Sequence, residues 1–109
     1  MGKIINSSYV LDLNNCVELK FYIKFFPKSN NIEEFVIILF LIKDNVKLEV
    51  LKYDYSQKES LHIHKYYSKR AVKEYLYDKV DVEFVLNLKN EIRTNFERYI
   101  DLYEQKDYI

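Results

Sequence analysis

The sequence predicts an α+β fold, a meandering antiparallel β-sheet covered by a long C-terminal α-helix, and three observations carry that expectation. Apolar residues recur at every second position in the N-terminal part, as at Val17, Leu19, Phe21, Ile23 and Phe25, the period of a strand with one buried face. Short clusters of Asn, Asp, Ser and Pro break this alternation at 14–15, 27–31 and 43–45, which suits tight connections between antiparallel neighbours. From Val85 onward the repeat changes to steps of three and four, the stripe of an amphipathic helix. At 109 residues one domain spanning 1–109 is expected.

The elements follow in order. Tyr9-Val10-Leu11-Asp12-Leu13 reads as a strand running into the turn signal Asn14-Asn15, and Cys16 to Phe26 reads as the next. A lone cysteine in such a strand is expected as a small buried hydrophobe, not a nucleophile. Pro27 to Asn31 is a loop, because proline brings no ladder donor and asparagine tolerates turn conformations. Glu33 to Ile42 holds the most apolar run of the chain, Phe35-Val36-Ile37-Ile38-Leu39-Phe40-Leu41-Ile42, and is expected to be an interior strand covered on both faces. Lys43-Asp44-Asn45 turns the chain into a strand from Val46 to Tyr55, paired antiparallel to its predecessor. Ser56 to Glu59 is a polar hairpin loop, Ser60 to Tyr67 the returning strand, and Val72 to Tyr77 a short edge strand. Asp81 is the expected N-cap of the helix, whose stripe is Val85, Leu88, Ile92, Phe96, Tyr99, Ile100 and Tyr103. That stripe needs a surface, and the inward face of the sheet supplies it.

Composition removes several function classes. One glycine and one proline exclude a glycine-rich phosphate loop. A single cysteine excludes an internal disulfide and a cysteine-rich zinc module, and fits a reducing compartment. Formal net charge is zero, so bulk charge announces neither a nucleic acid nor a membrane surface. The apolar run at 35–42 is far shorter than the roughly 20 residues of a membrane-spanning helix, and the N-terminus lacks the pattern of a signal peptide. A cytoplasmic protein without a membrane partner is expected. Locally the picture is less even, since Lys58, His62, His64, Lys65, Lys69, Arg70 and Lys73 gather in one stretch.

The candidate site lies in that stretch. His62 and His64 are the only histidines, and on a strand they share a face while Leu61 and Ile63 take the other. The preceding hairpin brings Asp54 back beside them. Three readings are open. In RNA cleavage, one imidazole takes the ribose 2′-hydroxyl proton and another protonates the leaving 5′-oxygen, with Lys65 or Arg70 steadying phosphate charge. In a metal site, two histidines and an aspartate make a facial set of ligands. In the third, all three are polar residues on a solvated strand. Eleven tyrosines add a stacking device for RNA bases, for which Tyr66 and Tyr67 are the candidates beside Tyr53 and Tyr55. Tyr22, Tyr99 and Tyr103 fit packing patterns with wet hydroxyls. Glu33, Glu34, Glu49, Glu59 and Glu74 have no context that forces burial, and the helix charges Glu91, Arg93, Glu97, Arg98 and Glu104 make a solvated face.

A strand ending in Tyr53-Asp54, a short loop, His62-x-His64, a basic stretch and a terminal helix together resemble the TumE family, the toxin components of small toxin–antitoxin pairs. The likeness covers most of the chain from about Tyr9 onward. It departs from the family at Tyr55, where asparagine is usual, and at Ser60-Leu61, where glycine and a further histidine often stand. The resemblance implies an endoribonuclease toxin, with RNA as substrate and a helix-turn-helix antitoxin as partner. It implies His62 and His64 as metal-independent acid and base, Asp54 orienting one imidazole, and no cofactor. The rival from another class is a non-catalytic interaction module, which binds a different protein or forms a homodimer through an aromatic strand face or the helix.

Overall fold

The computed structural model describes residues 3–106. Its strands are β1 (Ile5–Asn14), β2 (Val17–Phe26), β3 (Asn31–Lys43), β4 (Val46–Tyr55), β5 (His62–Lys65) and β6 (Val72–Tyr75), followed by helix α1 (Val82–Gln105). They form one antiparallel sheet in chain order, β1 to β6. The predicted α+β meander with its terminal helix is the observed architecture.

The turns show how a chain with so little glycine reverses direction. Asp44 and Asn45 take φ of 52° and 64°, the paired left-handed conformation of a two-residue hairpin turn whose twist matches the flanking strands. Asn30, with φ of 59°, does the same after Pro27. Asp and Asn are the side chains that tolerate this region best. Between β1 and β2, Asn14 Oδ1 accepts a hydrogen bond from the Cys16 amide at 2.8 Å. Cys16 therefore lies in the turn and is exposed, not buried in a strand as its neighbours suggested.

Two ends differ from expectation in instructive ways. β1 starts at Ile5, four residues before Tyr9, because polar Ser7 and Ser8 pair with Ile23 and Tyr22. The returning strand β5 covers only His62–Lys65, since Leu61 and Tyr66 already belong to the connections on either side.

One face of the sheet carries the core. Leu19, Phe21, Phe35, Ile37, Leu39, Leu51 and Ile63 point to it and meet Val85, Ile92 and Ile100 of α1. Asp81 caps the helix as expected, its carboxylate accepting from the Phe84 amide at 2.8 Å. Asn95 departs from helical geometry at φ −111°, and its amide donates back to the Glu91 carbonyl at 3.0 Å, a local bond that competes with the helix ladder and bends it.

The other face of the sheet is covered by no element among the described residues. This corrects the expectation that β3 is roofed on both sides. Ile38 is only 7 % exposed there, yet its cross-strand neighbours are Lys20 and Lys52. Their aliphatic stems shield it while the ammonium groups stay wet. The apolar run of β3 is thus satisfied by one helix on one side and long polar side chains on the other. No helix among the described residues is long and apolar enough to cross a membrane.

Candidate functional site

Strand register decides which side chains meet. Asp54 of β4 stands opposite His62, and His62 opposite Tyr75 of β6; one step along, Lys52 stands opposite His64, and His64 opposite Lys73. Cross-strand partners share a face, so both rows project from the side of the sheet away from α1. The imidazole rings lie edge to face, with centroids 5.0 Å apart and planes at 83°. The two histidines share one surface with Asp54, as their spacing implies.

Their environments are nevertheless unlike. His62 is 2 % exposed. Its Nδ1 lies 2.8 Å from the Ser60 carbonyl oxygen, and because a carbonyl only accepts, Nδ1 carries a proton. Its Nε2 lies 3.2 Å from Glu59 Oε1 and 3.9 Å from Asp54 Oδ2. Glu59 holds more than the ring: its Oε2 accepts from Lys73 Nζ at 3.0 Å and from the Tyr75 hydroxyl at 3.1 Å. Those bonds, that from Lys73 first, draw the Glu59 carboxyl below its usual range, and the Glu59 bond raises the Lys73 ammonium in return. The 56–60 loop is thereby tied to β4, β5 and β6 through one buried ring.

His64 is half-buried and faces outward. Its ring is parallel to Tyr66, with centroids 5.6 Å apart and planes at 4°. Its pKa is lowered from the ordinary histidine value, first by burial and then by the positive charges of His62, Lys52 and Lys73, with Asp54 acting in the opposite sense. Of the two imidazoles, this is the accessible one, and its surroundings favour the neutral base.

The structure thus brings together Asp54, His62, His64 and Tyr66. It does not bring Lys65, Arg70 or Tyr67 to them. Lys65 follows His64 by one residue and so projects to the other face, where it pairs with Glu74 at 3.0 Å. Tyr67 packs against Tyr99 of α1 at 5.4 Å between centroids, and Arg70 is exposed in the 66–71 connection. The cations beside His64 are instead Lys52 and Lys73. Both were legible in principle, since register and alternation place them there. Glu59 was also missed, although the bend at 57–59 returns a residue three positions before His62 onto its ring. Among the described residues, no group of three or more His, Cys, Asp or Glu side chains is arranged to hold a metal ion.

The family described as domain of unknown function DUF7718 matches residues 5–109. The chain belongs to that family. No curated protein and no solved structure matches it. The stretch matched to DUF7718 runs from the first residue of β1 past the end of α1, so the histidine pair and all its partners lie within it. What this DUF7718 chain offers chemically is one accessible imidazole biased to the neutral form, two ammonium groups and a stacked phenol on an open sheet face. Behind them stands a buried imidazole bonded to the Ser60 carbonyl, with the Glu59 carboxylate 3.2 Å from its Nε2.

Proposed function

We propose that this chain is an RNA-cleaving protein whose substrate lies on the open face of the sheet, a toxin of the kind that the resemblance to TumE implies. The observation that carries the reading is His64, an accessible imidazole flanked by Lys52 and Lys73 and stacked on Tyr66. In this mechanism His64 takes the proton of a ribose 2′-hydroxyl. The 2′-oxygen attacks the adjacent phosphorus, a cyclic phosphate forms, and the 5′-oxygen leaves with a proton from solvent. Lys52 and Lys73 stabilise charge on the phosphate, and Tyr66 offers a ring on which an unpaired base stacks.

His62 has a different part from the one its spacing implied. A ring that is 2 % exposed and bonded through Nδ1 to the Ser60 carbonyl does not reach substrate, so His62, Glu59 and Asp54 are positioning residues that fix the His64 ring and the 56–60 loop. A cytoplasmic setting, RNA as substrate and a helix-turn-helix antitoxin as partner belong to the same proposal.

A second reading, the non-catalytic interaction module, is favoured by the lysines themselves. Lys47 pairs with Glu18, Lys52 lies near Asp54 and Lys73 pairs with Glu59, so much of the positive charge on this face is already answered. The test is cleavage of labelled single-stranded RNA by the purified protein, with and without EDTA. The RNA reading expects activity that survives EDTA, vanishes in His64→Ala and falls when Lys52 or Lys73 is replaced by Ala. Loss with EDTA moves the chemistry to a metal, and an inactive wild-type protein moves the function to binding.

A further inference from the structure

The two edges of the sheet are built differently. β6 is four residues long, Val72–Tyr75, and carries Lys73 and Glu74, the short, charged form that keeps an edge from pairing with another chain. β1 has neither protection. It is ten residues long, Ile5–Asn14, and holds no Lys, Arg or Pro; Asp12 is its one charged residue. It also lies at the end of the strand order, so among the described residues nothing pairs with its outer side. A row of peptide N–H and C=O groups is left for water to satisfy.

The side chains of this edge are also incompletely covered. α1 rests on β2, β3 and β4, leaving Ile5, Tyr9, Leu11 and Leu13 of β1 half-buried at the rim of the core. On the opposite face Val10 is 50 % exposed.

We propose that β1 pairs antiparallel with β1 of a second copy of this chain about a two-fold axis at Tyr9, joining two sheets into one of twelve strands with both helices on the same side. The occupant is a second copy because β1 is self-complementary in that register. Pairs whose numbers sum to 18 keep like faces together: Leu11 meets Ser7, Val10 meets Ser8 and Asp12 meets Asn6 of the other copy, up to the irregularity between Asp12 and Asn14. The one charge of the strand never faces its own counterpart. A strand of another protein gains the same backbone bonds but not this reciprocity. Edge pairing buries less than the roughly 1,600 Å² of a standard interface, so the dimer dissociates on dilution. This inference is independent of any RNA chemistry.

Light scattering coupled to size exclusion, run over a range of protein concentrations, tests it. The wild-type protein is expected to shift from monomer mass towards dimer mass as concentration rises. Val10→Lys and, separately, Ser8→Lys shift the equilibrium towards monomer with unchanged circular dichroism, because each places two like charges at diagonal positions of the seam, about 7–8 Å apart. In a Cys16→Ser background, a mixture of Ser8→Cys and Val10→Cys proteins forms a disulfide-linked dimer on mild oxidation faster than either alone. A monomer at every concentration overturns the proposal. So does a dimer that neither lysine variant weakens, and so does a mixture that cross-links no faster than its components.

Discussion

Replacing His62 by alanine should cost the fold far more than replacing His64, although the residues are two positions apart on one strand. The His62 ring is 2 % exposed and packs against His64 and Tyr75 at 5.0 and 5.7 Å between centroids. Deleting a buried aromatic side chain costs about 3–5 kcal/mol, and the smaller imidazole belongs near the lower end. Loss of the 2.8 Å bond to the Ser60 carbonyl adds about 1 kcal/mol. The carboxylates left behind cost little more, because the Asp54 and Glu59 side chains are 30 % and 43 % exposed and water replaces the ring. The sum is about 4 kcal/mol, or on the order of 15 °C in Tm for a domain of this size. His64→Ala, on a half-exposed ring, should cost less than about 1 kcal/mol. Urea unfolding of the two variants beside the wild type measures both. Equal losses, or a loss below about 1 kcal/mol for His62→Ala, would refute the picture of His62 as the packed and bonded tie of the 56–60 loop.

Three other outcomes are expected. The lowered pKa of His64 means that the folded state binds fewer protons than the unfolded chain just below pH 6.5, so its contribution is whole above that value and is lost as pH falls through the folded pKa; His64→Gln should flatten this part of the stability–pH curve, and RNA cleavage should fall over the same window. Asp81→Ala removes the cap on the Phe84 amide and should cost about 1 kcal/mol in chemical denaturation, with little change in the native circular dichroism. Tyr22, bonded to Glu34, and Tyr53, half-buried against the core, are both pushed up to about 12. An ultraviolet titration should therefore show a late-ionising fraction of tyrosine, and the stability these groups lend should be whole below pH 10 and lost as pH climbs towards 12.

The fold was legible because period, turn chemistry and capping all point the same way. Alternation from Val17 to Phe25 marked β2, Asp44-Asn45 marked the hairpin between β3 and β4, and Asp81 marked the start of α1 to within a residue. What alternation cannot report is where pairing stops. Ser7 and Ser8 look like a tail but pair with β2, and Cys16 looks like strand but turns. In the site, period two placed His62 and His64 together and was equally able to send Lys65 to the far side. It also had Lys52 and Lys73 to offer, which only the register of three strands brings to one imidazole. Burial was the illegible part. Nothing in His-x-His says that one ring is sealed beneath a loop while the other is open, because that difference comes from Glu59 folding back, a tertiary event three residues upstream.

The order of elements has a consequence for synthesis. All six strands pair with their sequence neighbours, so each can join the growing sheet as it leaves the ribosome, and contacts of short sequence separation form quickly. The cover comes after them. Until Val82 and the residues that follow emerge, Leu19, Phe21, Ile37 and Leu39 present a continuous greasy surface to water or to whatever chaperone is at hand. A ribosome that stalls before α1 releases a nearly complete sheet with nothing over its apolar side, a species whose fate is aggregation or degradation. The yield of native protein is then governed by how fast the helix arrives.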